Sequence, residues 1–467
     1  MIRSEETICA PATGAGGAIS IIRVSGQDAL NIVSKFFFPL DKTVNLIVSK
    51  GFTIVFGEVR SEGEVIDEVL VSIFRSPNSY TGENSVEISC HASPYIVGKI
   101  LELLTQNGAL LALPGEFTQR AFMNGRLDLS QAEAVADVIA SSSRLAHRVS
   151  INQMRGGFSA EIARLRSELL NFASLIELEL DFGEEDVEFA DRKQLKEIII
   201  RVKGLADNLS ESFSLGNAVR NGIPVVIVGK PNSGKSTLLN ALLMEDKAIV
   251  SDIPGTTRDT IEDTIVIEGL EFRFIDTAGL RDTTDVIESL GIKKTFEKIS
   301  QASVVLLIDE VSDTPEQINL RIKSVKDKIK ESDKKLIILV NKADTSDAAK
   351  QQQLSARIDL TPDEDLLFIS AKEKTGLEDL RKKLIETVVK EKISSDSVIV
   401  TNIRHYEALR NVSLSLERVL EGLENKIPDD LIATDIRQAI HYLGEITGVI
   451  TSDEILGNIF KNFCIGK

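Results

Sequence analysis

The sequence predicts a multidomain chain. An α+β domain opens it, and an all-α region follows that is interrupted by an α/β module with a mostly parallel sheet. Three observations predict this. Short β-rich runs with turn signals fill residues 1 to about 122. Helical periodicity fills residues 123–216 and returns over 389–467. Between them, over roughly 217–388, strand-length apolar runs each end in a polar, glycine- or carboxylate-bearing motif, as in α/β proteins.

In the first region, Ala18–Val24, Phe52–Val59, Glu68–Phe74 and Ser85–Ser89 read as strands, and Tyr95–Gln106 as a helix ended by Asn107-Gly108. Thr13–Gly17 is glycine-rich but lacks a dinucleotide fingerprint and reads as a turn. Pro77–Asn84 (PNSYTGEN) reads as a polar, solvated hairpin. Its Tyr80 and Glu83 would also suit a ring-bearing ligand, an aromatic face beside a carboxylate.

Asp128-Leu129-Ser130 begins the helical region, with Ser130 as the expected N-cap and Glu133 three residues on. Ile162, Leu165, Leu169, Phe172, Ile176 and Leu180 share one helix face. The acidic stretch Phe182–Asp191 reads as a loop, and Asp191–Phe213 as a second helix.

The module opens on Gly229-Lys230-Pro231-Asn232-Ser233-Gly234-Lys235-Ser236, preceded by the strand Ile223–Val228 and followed by the helix Thr237–Met244. This is the context a phosphate loop needs. Glycines admit a phosphate to the backbone, and loop amides at the helix N-terminus face the anion. Lys235 would reach the β- and γ-phosphates and the Ser236 hydroxyl would ligate Mg²⁺. Asp276-Thr277-Ala278-Gly279 ends the strand Glu271–Ile275, Asn341-Lys342-Ala343-Asp344 ends Leu336–Val340, and Ser370-Ala371-Lys372 ends Leu366–Ile369. Asp276 can hold Mg²⁺ through water, and the Gly279 amide can meet the γ-phosphate. The Asp344 carboxylate can accept both the ring N–H and the amine of guanine, a donor pair that adenine lacks. With four motifs in this order, all at strand carboxyl ends, the module resembles a Ras-like P-loop GTPase domain.

Ser251 precedes the stretch Asp252-Ile253-Pro254-Gly255-Thr256-Thr257, which lies where a first switch loop belongs. Thr257, or its neighbour Thr256, is the candidate second Mg²⁺ ligand. Leu280 stands where many GTPases carry a water-orienting glutamine. Asp282, Asp285 and Glu288 are the candidate substitutes.

Beyond the module, Ile403–Lys426 and Asp429–Tyr442 read as helices separated by Pro428. One helical domain with an inserted GTPase module accounts for helices on both sides, and hydrolysis in the module could then move them. Phe460 and Phe463 predict that the tail is packed.

The formal charge of −17, from 71 acidic and 54 basic residues, argues against an overall basic nucleic-acid-binding surface. Cys9, Cys90 and Cys464 are too few and too scattered for a disulfide framework or a metal cluster. No apolar run approaches a membrane span and no signal peptide is evident, so a cytoplasmic protein is expected.

Taken whole, the chain resembles the MnmE (TrmE) family of tRNA-modification GTPases. The resemblance rests on TICAPATGAGGAISIIRVSG, SYTGENSVEISCH, PGEFTQRAFMNGRLDLSQAEAVAD, DIPGTTRD, DTAGLRDT and the C-terminal FCIGK. It implies a homodimer formed through the N-terminal domain, and a tetrahydrofolate one-carbon derivative bound by Arg23, Glu83, Arg126 and Lys467. It implies a partner, the FAD-containing MnmG (GidA), in a heterotetramer, and an aminomethyl-type group installed at carbon 5 of the wobble uridine of certain tRNAs. It further implies a K⁺ ion held by Asn232, Ser251, Ile253 and Thr256, Mg²⁺ on Ser236 and Thr257, and Glu288 as the catalytic carboxylate beside Lys235. The chain departs from the family at Ala15 and at Cys90-His91-Ala92-Ser93. A ribosome-assembly GTPase would share the module, but would be expected to carry a basic RNA-binding domain after it.

Overall fold

A computed structural model describes residues 6–14, 16–181, 192–246, 263–275, 299, 301–327, 329, 334–362, 364–387, 398–425, 427–461 and 463–466. The chain forms two compact units. One comprises Met1–Ala140, Ser150–Asn208 and Glu407–Lys467, and the other Ser141–Val149 and Leu209–Tyr406. The second thus interrupts the sequence of the first twice, by a short segment and by a long one.

The first unit holds a seven-stranded sheet. Its strands are β1 (Ile8–Pro11), β2 (Ile19–Ser25), β3 (Phe37–Pro39), β4 (Thr53–Ser61), β5 (Glu64–Phe74), β6 (Ser85–His91) and β7 (Leu110–Leu111), in the order β3-β4-β5-β6-β2-β1-β7. All neighbours are antiparallel except β1 and β7. The tight β4–β5 turn is made by Glu62 and Gly63, both at positive φ (52° and 90°), the backbone a two-residue hairpin requires. One sheet face buries Val55, Val69, Val71, Ile73, Val86 and Ile88 beneath the helix Pro94–Gln106. Four predicted strands and this helix therefore stand in the structure.

The helical part of this unit includes Leu129–Ala140, Gly157–Asp181, Arg192–Glu211 and Asp429–Thr447. Ile162, Leu165, Leu169, Phe172 and Ile176 are buried along one stripe, as their spacing predicts. Gly157–Asp181 packs on Asp429–Thr447, which buries Ile432, Ile436, Leu443 and Ile446. The expected loop Phe182–Asp191 and the side chain of Leu180 lie outside the described residues.

Two expectations are corrected. Ser130 is inside the helix and does not cap it. Asp128 does: Asp128 Oδ1 accepts from the Gln131 amide at 2.9 Å while Gln131 Oε1 accepts from the Asp128 amide at 2.9 Å. The reciprocal pair sits two residues earlier than the Ser130/Glu133 reading, because the Asp128 carboxylate takes the Gln131 amide and also accepts from Ser130 Oγ at 2.9 Å. Pro77–Asn84 is not a solvated hairpin either. Ser79 and Thr81 are buried, and Tyr80 Oη bonds Thr118 Oγ1 at 2.8 Å.

The second unit holds a six-stranded sheet of β8 (Ile223–Gly229), β9 (Asp263–Ile267), β10 (Leu270–Phe274), β11 (Val304–Glu310), β12 (Lys335–Asn341) and β13 (Asp365–Phe368). The order is β13-β12-β11-β8-β10-β9, parallel except for the β9–β10 hairpin. Successive residues of the central strands feed opposite faces. Val225, Ile227, Leu306, Ile308, Ile337 and Leu339 join one core, and Val226, Val228, Val305, Leu307, Ile338 and Val340 the other. Burial on both faces explains why these strands are continuous apolar runs without alternation. Strands β9 and β11 add to the three motif-bearing strands and β8 already legible in the sequence.

Candidate functional site

The carboxyl ends of β8, β11 and β12, with the turn after β13, meet at one edge of the second unit. Parallel strands leave their loops on one side, and this is where an open α/β sheet binds ligands.

Strand β8 ends at Gly229, where an added Cβ would stand 2.3 Å from the Ile308 carbonyl oxygen, so only glycine lets β8 run this close to β11. The loop then turns through Asn232 (φ 61°) and Gly234 (φ 99°) into the helix Lys235–Asp246. Asparagine and glycine are the residues that tolerate this backbone. Lys235 Nζ folds over the loop and donates to the carbonyl oxygens of Gly229 (3.0 Å) and Lys230 (2.8 Å). Burial lowers the Lys235 pKa. The Ser233 hydroxyl is fully buried with no hydrogen-bond partner among the described residues. Ser236 and Thr237 open the helix beside it. A buried orphan hydroxyl, a cradle that a Cβ would fill and an ammonium laid across it fit a polyphosphate.

Asn341 ends β12 and is buried. Its amide Nδ2 donates to the Ser233 carbonyl oxygen at 2.8 Å, and its Oδ1 accepts from the Ala371 amide at 3.0 Å. One side chain therefore ties together three of the four predicted motifs. Lys342 follows at φ 62°, and Asp344 lies exposed on the short turn Ala343–Thr345. The Ser370 amide and carbonyl pair with those of Thr375, and Lys372 projects into solvent. An exposed carboxylate on this short turn can accept two donors from a purine edge.

The motif Asp276-Thr277-Ala278-Gly279, the stretch Ser251, Asp252, Ile253, Pro254, Gly255, Thr256 and Thr257, and Glu288 lie outside the described residues. Strand β10 leads toward the first of these, with the Ile275 amide donating to the Val225 carbonyl oxygen at 2.9 Å.

The first unit gathers a second group of predicted residues around the loop 77–84. The Arg23 guanidinium is held by Glu87 at 2.9 Å and lies 5.0 Å from the Tyr80 ring and 5.6 Å from the Phe117 ring. Its Nη1 also reaches the Gly466 carbonyl oxygen at 3.5 Å, so the tail passes beside it at Gly466. Glu83 accepts from Ser25 Oγ at 2.7 Å and from Arg120 Nη1 at 3.2 Å. Arg126 is exposed and passes over Gly82, where a Cβ would stand 3.2 Å from its Cγ. Lys467 lies outside the described residues.

The tail is packed as expected: Phe460 is buried with Leu129, Ala132 and Leu456, and Phe463 lies against them. Cys9 and Cys90 are buried thiols, pushed up to about 12 and about 11 chiefly by burial, and are unsuited to thiolate chemistry. Cys464 is exposed.

Sequence reasoning missed Arg120. It is almost fully buried and carries Glu83, Glu116 (3.2 Å) and the Glu6 carbonyl oxygen (2.8 Å). Its signal was the i,i+4 spacing from Glu116 inside PGEFTQRAF. It also missed Lys230 and Glu310, whose pairing depends on two strands that are distant in sequence. Among the described residues, no helix is long and apolar enough to cross a membrane.

Comparison with known proteins gives the family. Residues 7–126 match the family described as GTP-binding protein TrmE N-terminus, and residues 129–464 match the MnmE helical domain. A protein of Bacteroides thetaiotaomicron named tRNA modification GTPase MnmE is 52% identical over 466 residues, covering 99% of this chain and 100% of its own. Proteins of the same name from Bacteroides fragilis (50%, covering 99% and 100%) and Flavobacterium psychrophilum (52%, covering 99% and 99%) are similarly close. With identity of this level running end to end through both units, the chain belongs to the MnmE family of tRNA-modification GTPases.

Proposed function

We propose that this chain is a K⁺-stimulated GTPase that works with an FAD-containing partner, MnmG (GidA), in the cytoplasm. Together they install an aminomethyl-type group at carbon 5 of the wobble uridine of certain tRNAs, with the carbon drawn from a tetrahydrofolate derivative. The observation that carries this reading is half-identity over essentially the whole length of relatives that bear the tRNA-modification name.

In this reading the chain divides into an N-terminal folate-binding and dimerisation domain (1–122), a helical domain in two parts (123–216 and 389–467) and the GTPase module (217–388). The amides of Ser233, Gly234 and Lys235 and the Lys235 ammonium grip the phosphates, with Ser236 and Thr237 beside them. Asn341 holds the grip in place, while Asp344 selects guanine, with Lys342, Ser370, Ala371 and Lys372 around the base. Ser236 and Thr257 hold Mg²⁺, which when bound offsets phosphate charge. Asp276, Thr277, Ala278 and Gly279 face the γ-phosphate. Glu288 orients the attacking water. Asn232, Ser251, Ile253 and Thr256 hold K⁺, within the switch stretch that also carries Asp252, Pro254 and Gly255. That cation offsets charge developing on the phosphates. Arg23, Glu83, Arg126 and Lys467 hold the folate. The guanidinium of Arg23, close to the rings of Tyr80 and Phe117 and to the Gly466 carbonyl oxygen, supports that assignment.

The test is modified-nucleoside analysis of tRNA from cells with and without the protein. Loss of the wobble-uridine aminomethyl group on deletion is expected, with rescue by the wild type and not by Glu288→Ala. An unchanged nucleoside profile on deletion would overturn the reading.

A further inference from the structure

Two loops of the nucleotide site carry a lysine that points away from the loop's own backbone cradle: Lys230 on the phosphate loop and Lys342 on the loop after β12. Both ammonium groups end on one carboxylate. Glu310, the last residue of β11, accepts from Lys230 Nζ at 2.9 Å and is ion-paired with Lys342 Nζ. Ser312 Oγ adds a third donor at 3.2 Å. The carboxylate is only 13% exposed, against 29% for Lys230 and 46% for Lys342, so the pairs are partly shielded from solvent at the Glu310 end.

The surroundings keep this carboxylate in place. Asp313 takes the other side of Lys230 at 2.7 Å, and its second oxygen accepts from Arg321 Nη2 at 2.8 Å and from the Glu310 amide at 3.2 Å. The Val311 amide donates to the Asn341 carbonyl oxygen at 3.0 Å, so the chain leaving Glu310 runs along the base of the second loop. Burial pushes the Glu310 carboxyl up, but Lys342 and Lys230 outweigh it and hold it at about 2, so it is ionised throughout the physiological range.

We propose that Glu310 is a positioning residue that couples the phosphate loop to the base loop and so sets the distance between the two grips on the nucleotide. Without the carboxylate, Lys342 loses its partner on β11 while Lys230 keeps only Asp313, and the ionic link between the two loops is gone. Asn341 joins the same loops through the Ser233 carbonyl oxygen, and Glu310 joins them through the two ammonium groups. Two cross-links fix an orientation, where one leaves a hinge. This inference rests on the reading of residues 341–344 as the base-recognition loop.

The experiment uses the full-length protein. Amide exchange of the segment 341–345 is compared between wild type, Lys230→Met and Glu310→Gln, and GDP dissociation is measured in both single variants and in the double variant. Lys230→Met, though placed on the other loop, is expected to speed exchange over 341–345. GDP release should accelerate by about tenfold in each single variant, with the double variant no faster than either, since both remove one coupling. Unchanged exchange over 341–345 in Lys230→Met, or fully additive effects on GDP release, overturns the proposal. The base-loop reading has a separate control: Asp344→Asn that leaves GTP affinity undiminished sinks that reading, while the exchange result still decides whether Glu310 couples the loops.

Discussion

Asn341 Nδ2 donates to the carbonyl oxygen of Ser233 at 2.8 Å, so the loop proposed to read the base is bonded directly to the loop proposed to hold the phosphates. The approach is so close that a Cβ on Gly234 would stand 2.2 Å from the same nitrogen. The two motifs are separated by more than a hundred residues of sequence, yet they form one rigid seat.

Removing that amide leaves two buried backbone groups unpaired, the Ser233 carbonyl and the Ala371 amide. Each costs about 1–3 kcal/mol when left without a partner. Asn341→Ala should therefore weaken GTP affinity by roughly 10- to 100-fold, read by titration with a fluorescent GTP analogue. An unaltered affinity would mean that the seat is held by other contacts.

Asn232 stands exposed at the turn of the phosphate loop with φ 61°, a backbone asparagine accepts more readily than most residues. If it ligates K⁺ there, hydrolysis should run faster in K⁺ than in Na⁺, and Asn232→Ala should abolish the difference while the Na⁺ rate persists. Glu288→Ala should lower kcat by about 100-fold or more with little change in KM for GTP, the signature of a group acting only in the transition state. Equal rates in both salts would remove the K⁺ site, and an unchanged kcat would remove Glu288 from the mechanism.

The parts of the site that sequence revealed share a physical cause. The phosphate loop, Asn341–Asp344 and Ser370–Lys372 are local: each is a short motif at the end of an apolar strand, and both the strand and its terminus are set by residues within reach of one another. Strand β11 carries no such motif and was silent, although its run Val304–Ile308 is as apolar as β8. Its functional residue, Glu310, gains meaning only when β11 is placed between β8 and β12. The pairing of Arg120 with Glu83 was hidden for the same reason, because the two lie 37 residues apart on different elements, and only its i,i+4 spacing from Glu116 was local. The Ser130 cap failed on competition between neighbours: Asp128 offers a charged acceptor to the same helix start. Pairing across a sheet is a consequence of topology, and a single sequence states topology only in part.

Asp309, next to Glu310, is fully buried. Burial pushes its carboxyl up to about 6, even with Arg321 Nε 2.5 Å away pulling it down; Asp313 adds to the rise and Lys230 opposes it. A carboxyl whose folded pKa lies above its unfolded value contributes stability that is complete below the unfolded value of 3.8 and is lost as pH rises through about 6. Ionised Asp309 therefore costs the second unit about 3 kcal/mol near neutrality. Asp309→Asn should slow amide exchange of β11 and β12 relative to wild type at pH 7.5, and the advantage should shrink toward zero near pH 4. An advantage independent of pH would show that Asp309 does not titrate in this range.

Gly466 docks the tail against β1. Its φ is 94°, and an added Cβ would stand 2.1 Å from the Pro11 carbonyl oxygen, so no side chain fits without moving backbone. The same tail bonds the Gly115 amide through the Cys464 carbonyl oxygen at 3.4 Å and brings the Gly466 carbonyl oxygen to Arg23. Gly466→Ala should lift the last residues from the sheet at a cost of about 1–3 kcal/mol of local stability. Carboxypeptidase should then remove the tail faster, and affinity for a tetrahydrofolate derivative should fall with it, because Lys467 and the restraint on Arg23 leave together. Gly457→Ala serves as the control, since a Cβ there meets nothing within 4 Å. Faster trimming with unchanged folate affinity would place the folate away from the tail and leave Arg23 held by Glu87, Tyr80 and Phe117 alone.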